Sequence, residues 1–491
     1  MFGKVILTGL AFIAFGLTKL VFNTLVIRRF PPAFLGNLNQ LLSLFLLVPL
    51  VYAPALGQVI SKFASEFVGS DEPHKSQQVF SLSFVLVSAI SALSTILVLV
   101  FFPHLGGSRV VDRGALFGLA PMLLLYSLYT FFKASYYGFD RIRLYLFNEI
   151  ISSIVFFAVL AAALIARSTS LAALPFASHG TVFAATAIYH LRDQFRFRAM
   201  VAGIAADLHR CAQFFFATVV ISMTGPGAFH LGIILTGRLT GDPVVAAYYS
   251  VLLYSLQPLN LLPLSLVAVL MPAISRHHGA GQTREGVAVS ERAFRPLFLV
   301  MTLTWGCGAI LGWEVVKVIA GTTSVRLIVA YEIVLFAIYL NLTSAPPSIL
   351  LNATRHVNVL AWSGATTALA AVGVWYGAIP YWGLLGSAAG FAVLQVGRGV
   401  WALVAAHRLL EWRGRVGRGA ILTAAAIVTL SALSLTSGRA AFHFAMAAVF
   451  LALFTCFHAM DIKEHMVRLV AEIRLYATRG IKPVENLENW R

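Results

Sequence analysis

The sequence predicts an all-α polytopic membrane protein of about fourteen transmembrane helices, on three observations. Hydrophobic residues make up 59% of the 491-residue chain and charged residues 11%, against roughly 25% charged in an ordinary soluble domain. Apolar runs of about 20 residues, the length that a ~30 Å hydrocarbon slab requires of a helix, recur along the whole chain. Lys and Arg gather in alternate connections between those runs. A soluble core cannot absorb this much apolar surface, so lipid is the expected solvent.

Taken in order, the spans run over about 5–27, 34–57, 79–103, 114–138, 145–166, 171–190, 212–236, 244–271, 296–313, 327–350, 357–379, 382–406, 419–437 and 440–459. The first is too long for a cleaved signal peptide and reads as a retained helix. Pro, His or Gly interrupts the third, sixth and ninth. An even number of spans places both termini on one side. Segments sharing that side hold 24 of the 36 Lys and Arg, the opposite side nine, and three lie inside spans. The positive-inside rule therefore predicts a multi-pass protein with both termini cytoplasmic, and the expected location is the bacterial cytoplasmic (inner) membrane. The longest polar connection, about 275–293, is too short for a catalytic domain, which argues against an integral membrane glycosyltransferase or ligase.

The net charge of +17 is scattered in short clusters between apolar spans and does not form the basic face of a nucleic-acid binder. Cys211, Cys307 and Cys456 stand alone, and Cys456 with His458 is only a two-ligand fragment, so neither a disulfide framework, a metal site nor a cofactor is expected. The sequons at Asn341 and Asn352 fall in or beside an apolar span and carry no glycosylation argument.

Internal symmetry is a mark of transporter folds. Arg29, Pro49 and Pro54 match Arg238, Pro258 and Pro263 at an offset of 209, and Gln58-Val-Ile-Ser-Lys62 matches Pro272-Ala-Ile-Ser-Arg276 at 214, as Arg141 does Arg355. Six spans separate the copies, so both have the same orientation. The expected layout is two six-helix lobes related by a parallel repeat plus two C-terminal helices. The first lobe takes 1–191, a cytoplasmic interfacial linker 192–211, the second lobe 212–407, the two extra helices 408–459 and an amphipathic cytoplasmic tail 460–491.

The turn Arg29-Phe-Pro-Pro-Ala-Phe-Leu-Gly-Asn-Leu38 into span two and the related Thr240-Gly-Asp-Pro-Val-Val-Ala-Ala-Tyr-Tyr249 into span eight resemble the polysaccharide-transporter (oligosaccharide flippase) family. So does Leu351-Asn-Ala-Thr-Arg355 after span ten. That family lies in the multidrug/oligosaccharidyl-lipid/polysaccharide exporter superfamily. Ala247 stands where the family usually has Gly. The resemblance implies a two-lobed fold whose central cavity alternates between inward- and outward-facing states to flip an undecaprenyl-diphosphate-linked sugar.

A Lys or Arg at mid-depth costs about 2.5–3.5 kcal/mol on insertion scales, so a charge inside a span is a functional hypothesis. Lys19, Lys133 and Arg398 lie inside spans one, four and twelve and are the candidate ligands for an anionic headgroup. Alternatives stand beside two of them. Lys133 shares a predicted depth with Glu149 across the turn at Arg141, so the two could neutralise each other. Arg398 could snorkel to the interface. Glu332 is the best-placed acid for ion coupling, with Glu149 second, although Glu332 could instead pair with Arg326 or Lys317. His179 and His230 could titrate near neutral pH or merely hydrogen-bond a neighbour. The linker and the tail, in which Ile462, Met466, Leu469, Val470 and Ile473 keep helical spacing, both read as amphipathic helices.

The leading reading is a non-enzymatic flippase of lipid-linked oligosaccharide for surface polysaccharide biosynthesis, in contact with membrane lipids and other assembly proteins. The alternatives are a multidrug or organic-cation antiporter of the same superfamily and a lipid II flippase.

Overall fold

The computed structural model describes residues 2–64, 67, 72–101, 121–139, 141–168, 171, 174–197, 207–260, 266, 270–271, 274, 282–354, 356–414, 418–437 and 439–478. Every regular element among them is helical. The first half consists of α1 (Phe2–Arg29), α2 (Pro32–Leu50), α3 (Ala53–Val59), α4 (Pro73–Phe101), α5 (Pro121–Gly138), α6 (Ile142–Ala166) and α7 (Leu174–His190). The second half consists of α8 (Leu208–Ser222), α9 (Ala228–Thr240), α10 (Pro243–Leu256), α11 (Thr283–Ile310), α12 (Gly312–Ala320), α13 (Val325–Thr343), α14 (Ala345–Ala353), α15 (Val357–Trp382) and α16 (Leu384–Leu410). A final hairpin pairs α17 (Arg418–Ser434) with α18 (Ala440–Thr478). Among the described residues nine helical stretches are long and apolar enough to cross a membrane.

Proline sets the breaks. Pro32 and Pro243 open α2 and α10, where the missing N–H has no partner to lose. Pro49 ends α2, and Pro258 sits in the 3₁₀ turn Gln257–Asn260 that ends α10. Arg29 and Arg238 each close the helix before. The repeat in the sequence is thus a repeat of helix ends and breaks; Pro263, Pro272 and Arg355 lie outside the described residues. Two π-helical turns, Ile60–Ala64 after α3 and Met223–Gly227 joining α8 to α9, widen their helices at mid-course.

Three segments differ from the reading above. The connection taken as polar to about residue 293 is mostly helix, because α11 already begins at Thr283. The start of the linker is a 3₁₀ turn, Arg192–Gln194, followed by extended chain. Phe195 packs there on Phe80 and Phe84, so the anchoring contact is aromatic packing on α4. Residues 198–206 and Gly480 lie outside the described residues. Finally, α18 continues without a break from the last span to Thr478, so the tail begins as an extension of that span.

Cross-connections fix the two faces of the bundle. Lys75 pairs with Asp207, and Arg141 with Asp193, which brings the connections after the second, fourth and sixth spans to one face, here the N-terminal face. On the opposite face Arg28 donates to the Val318 carbonyl and Glu314 bonds His443. Close to that opposite face, one hydrophobic cluster runs through α1, α2, α9, α10, α11 and α13. Toward the N-terminal face the described core separates into a cluster of the first half, around Phe63, Phe80 and Phe131, and another of the second half, around Ile274, Leu350 and Trp412.

The two halves meet where the repeated turns meet. Gly36 of α2 lies directly against the Pro243 and Ala247 backbone of α10, so close that an added Cβ would overlap the Pro243 carbonyl. Glycine at 36 therefore has a packing reason, and Ala247 faces it as the small residue of the second copy. Asn39 completes the seam. Its amide donates to Asn23 Oδ1 at 2.8 Å and to Ser250 Oγ at 2.7 Å, tying α1, α2 and α10 together.

Candidate functional site

A cavity lies behind this seam. Lys19 and Asn23 of α1, Asn39 of α2, Tyr126 and Tyr129 of α5, His179 of α7 and Tyr254 of α10 supply its polar wall. Leu42, Leu46, Met122 and Phe176 supply the apolar one. Its free volume is about 30 Å³, whereas sites for drug-sized ligands span roughly 300–1,000 Å³.

Lys19 is the cation of the cavity. It is 7% exposed, and its ammonium stands 5.6 Å from the centre of the Tyr254 ring on α10, reaching from the first half to the second. Asn23, one helical turn on, donates to the Lys19 carbonyl at 2.9 Å and so belongs to the same wall. Lys133, half-buried on α5, places its ammonium 5.8 Å from the centre of the Tyr129 ring. It lies near enough to Lys19 and to Glu149 for their charges to interact.

Glu149 is fully buried, and it hydrogen-bonds across to α7 and α5. One oxygen meets His179 Nε2 at 3.1 Å and the other accepts from the Tyr129 hydroxyl at 3.4 Å. Lys133 acts on it electrostatically from beside these bonds. The acid and the histidine, read separately in the sequence, form one unit with its histidine on the cavity wall. His230 instead bonds Ser43 at 3.2 Å within the α2–α9 contact.

Arg398 and Glu332 are not among the residues that line this cavity. Arg398 is half-buried on α16, and its guanidinium packs on Gly225 in the π-turn between α8 and α9, 2.8 Å from where a Cβ would sit. Glu332 of α13 faces the terminal hairpin, where it accepts from Ser431 at 3.0 Å. Among the described residues no cluster of three His, Cys, Asp or Glu is gathered as for a metal ion.

The sequence reading missed Asn23, Asn39, Tyr126, Tyr129 and Tyr254. A signal existed for the first: a polar residue four positions after Lys19 shares its helix face. For the tyrosines no local signal existed, since aromatic residues occur throughout the spans.

With seam, cavity and hairpin in place, the bundle can be compared with solved structures. The lipid II flippase MurJ in an inward closed conformation superposes at a TM-score of 0.65 with 13% identity, over 94% of this chain and 100% of that one. A MOP-superfamily transporter from Pyrococcus furiosus gives 0.63 with 12% identity, over 83% and 94%. A mutant of the Vibrio cholerae MATE transporter VcmN gives 0.61 with 15% identity, over 84% and 96%. The fold is that of the MOP-superfamily transporters. No protein-family model and no curated protein sequence matches the chain.

Proposed function

We propose that this chain is a transporter that flips an anionic, lipid-linked oligosaccharide across the bacterial cytoplasmic membrane by alternating access. The observation that carries the reading is the cavity, where Lys19 stands among amide and tyrosine side chains at the junction of the two halves, with Lys133 outside the lining but near enough for its charge to act on Lys19. Cations buried in a low-dielectric wall favour a diphosphate and penalise an organic cation. The tyrosines and asparagines offer hydroxyl and amide groups suited to a sugar. In this reading the seam at Gly36 and Pro243 parts to release cargo on the opposite face, the N-terminal face is cytoplasmic, and the helices before 191 and after 212 move as lobes. Arg398 serves as a second cationic contact when the halves open.

Lipid II is the second reading of the cargo, favoured by the superposition of MurJ over nearly the whole chain. A multidrug antiporter fits less well, because the sign of the cavity opposes a cationic substrate. The Pyrococcus furiosus transporter is itself described as having a binding pocket of reverse polarity that suggests a different function.

The test is deletion of the gene in its host with complementation by Lys19→Ala. Loss of surface polysaccharide with build-up of lipid-linked repeat units on the cytoplasmic side is the expected result. Lys19→Ala, present at normal levels, should transport at least about tenfold less, since a charge-assisted hydrogen bond contributes about 1.5–3 kcal/mol. Normal polysaccharide together with altered resistance to cationic drugs overturns the proposal.

A further inference from the structure

Resting on the anionic-cargo reading, we propose that Tyr254 couples cargo binding to the parting of the two halves: its ring holds the Lys19 ammonium across the seam, and an anion that takes the ammonium releases the ring. Tyr254 is then a positioning residue, acting on transport through Lys19.

The tyrosine belongs to one half and is gripped by the other. It stands in the last turn of α10 and is 4% exposed. Within its own half Phe229 of α9 packs edge-on against it, ring centres 5.4 Å apart, and Phe391 of α16 backs Phe229 at 6.3 Å. Two side chains reach it from the first half. The Lys19 ammonium of α1 stands 5.6 Å from the ring centre, and Ser43 of α2 lies beside the hydroxyl. Aromatic packing thus fixes the ring to the second half, while the first half holds it through polar groups. Gly36 meets Pro243 by backbone contact, and Asn39 meets Ser250 by a hydrogen bond between uncharged groups. The Lys19–Tyr254 contact differs from both in joining a charge to a ring quadrupole.

The size of the cavity makes an exchange necessary. Its free volume of about 30 Å³ has room for a few waters and none for a diphosphate. Lys19 and Tyr254 both line it, so an anion that reaches Lys19 must displace the wall these two side chains form. A phosphate oxygen offers the ammonium a full negative charge and a charge-assisted hydrogen bond, where the ring offers only its quadrupole. The anion therefore wins the ammonium, and loading removes one of the contacts that tie the first half to the second. Such coupling is reciprocal, so loading and parting favour each other by the same factor.

Removing the ring should accordingly mimic the cargo. Tyr254→Leu keeps an apolar side chain but drops the contact with Lys19, so the anion competes with nothing at that position and should bind about two- to thirtyfold more tightly. Tyr254→Phe keeps the ring and should bind as the wild type does. A tyrosine that only filled space would give no gain in affinity, since leucine leaves a gap in the wall.

The test is calorimetric titration of the full-length purified chain with farnesyl diphosphate, together with distances between spin labels at Leu171 and Val325, exposed residues of the two halves. In the wild type the probe should raise the population at long separation. In Tyr254→Leu that population should be raised before any probe is added, and the affinity should increase by the factor given. An unchanged distance distribution on loading the wild type overturns the inference and needs no variant to fold. A folded Tyr254→Leu that binds no more tightly than wild type overturns it as well. Tightened binding in Tyr254→Phe equal to that in Tyr254→Leu would assign the hold to the hydroxyl beside Ser43 and overturn the role of the ring. If farnesyl diphosphate does not bind the wild type at all, the anionic-cargo reading falls and the inference falls with it.

Discussion

The helices before residue 191 and those after 208 bury different chemistry. The first half encloses two hydrogen-bonded polar groups, Glu149 with His179 and Tyr129, and Asn148 with Tyr136, and the charge of Lys133 acts on both Glu149 and Lys19. The second half is built on close apolar contact. Trp375 is fully buried on α15, its Nε1 donates to the Ser387 carbonyl at 3.0 Å, and Gly232 and Gly390 press on its ring where any Cβ would collide. The half-buried Arg398 and Glu332 each face a neighbouring helix there. Repeated helix ends have therefore been filled with unlike interiors. In the cycle we propose, one half carries the groups that could recognise charge, and the other is the rigid body against which the first moves.

Breaking the packed half should cost the most stability. Trp375→Ala removes a large buried ring and strands a carbonyl, so thermal unfolding followed by size-exclusion should show a loss of about 3–5 kcal/mol. A melting temperature within a degree or two of wild type would mean the second half is not the rigid body described here. Glu149→Gln sharpens the contrast from the other side. It keeps an acceptor for His179 and should cost only about 1–3 kcal/mol, while transport in the complementation assay falls more than about tenfold. Equal losses of stability in the two variants would erase the distinction between the halves.

The seam joining the halves should respond more gently. Asn39→Ala deletes the bonds to Asn23 and Ser250, each contributing about 0.5–1.5 kcal/mol. Spin labels at Leu171 and Val325, both exposed near the opposite face, should then show a larger population at long separation. An unchanged distance distribution would show that Gly36 against Pro243 holds the seam without the amide.

The smallest effect belongs to the surface of the first half. Burial pushes the Asp193 carboxyl upward, but hydrogen bonds from Arg141 and Gln194 outweigh it and hold the group below the usual range. A carboxyl lowered on folding stabilises at neutral pH, and the contribution fades as pH falls through that lowered value. Arg141→Ala should therefore cost less than about 1 kcal/mol at neutral pH, and the difference from wild type should disappear well below about pH 4. A difference that persists in acid would assign the role of Arg141 to its bond with the His190 carbonyl instead.

Much of this was legible before any coordinates. A charge inside an apolar span costs free energy wherever it lies, so Lys19 and Lys133 announced themselves; Lys19 lines the cavity, and Lys133 lies near enough for its charge to act on Lys19. Arg398 announced itself equally and stands against a π-turn, because insertion cost marks depth and says nothing of which face of a helix looks inward. Glu149 was found as an acid at the depth of Lys133, yet its hydrogen bonds go to His179, thirty residues along the chain, and to Tyr129. Helix rotation chose those partners.

By itself the sequence determined that the chain is a multi-pass membrane protein of long apolar helices, which connections share a face, and that its helix ends repeat. These follow from hydropathy, proline stereochemistry and charge, all properties of residues or short segments. The tertiary structure alone decided that Gly36 meets Pro243, that Asn39 bridges the halves, and that one lysine, one histidine and three tyrosines from four helices enclose a single cavity. Contacts of that kind depend on how helices turn and cross after they have formed, and no local pattern encodes an angle between two helices.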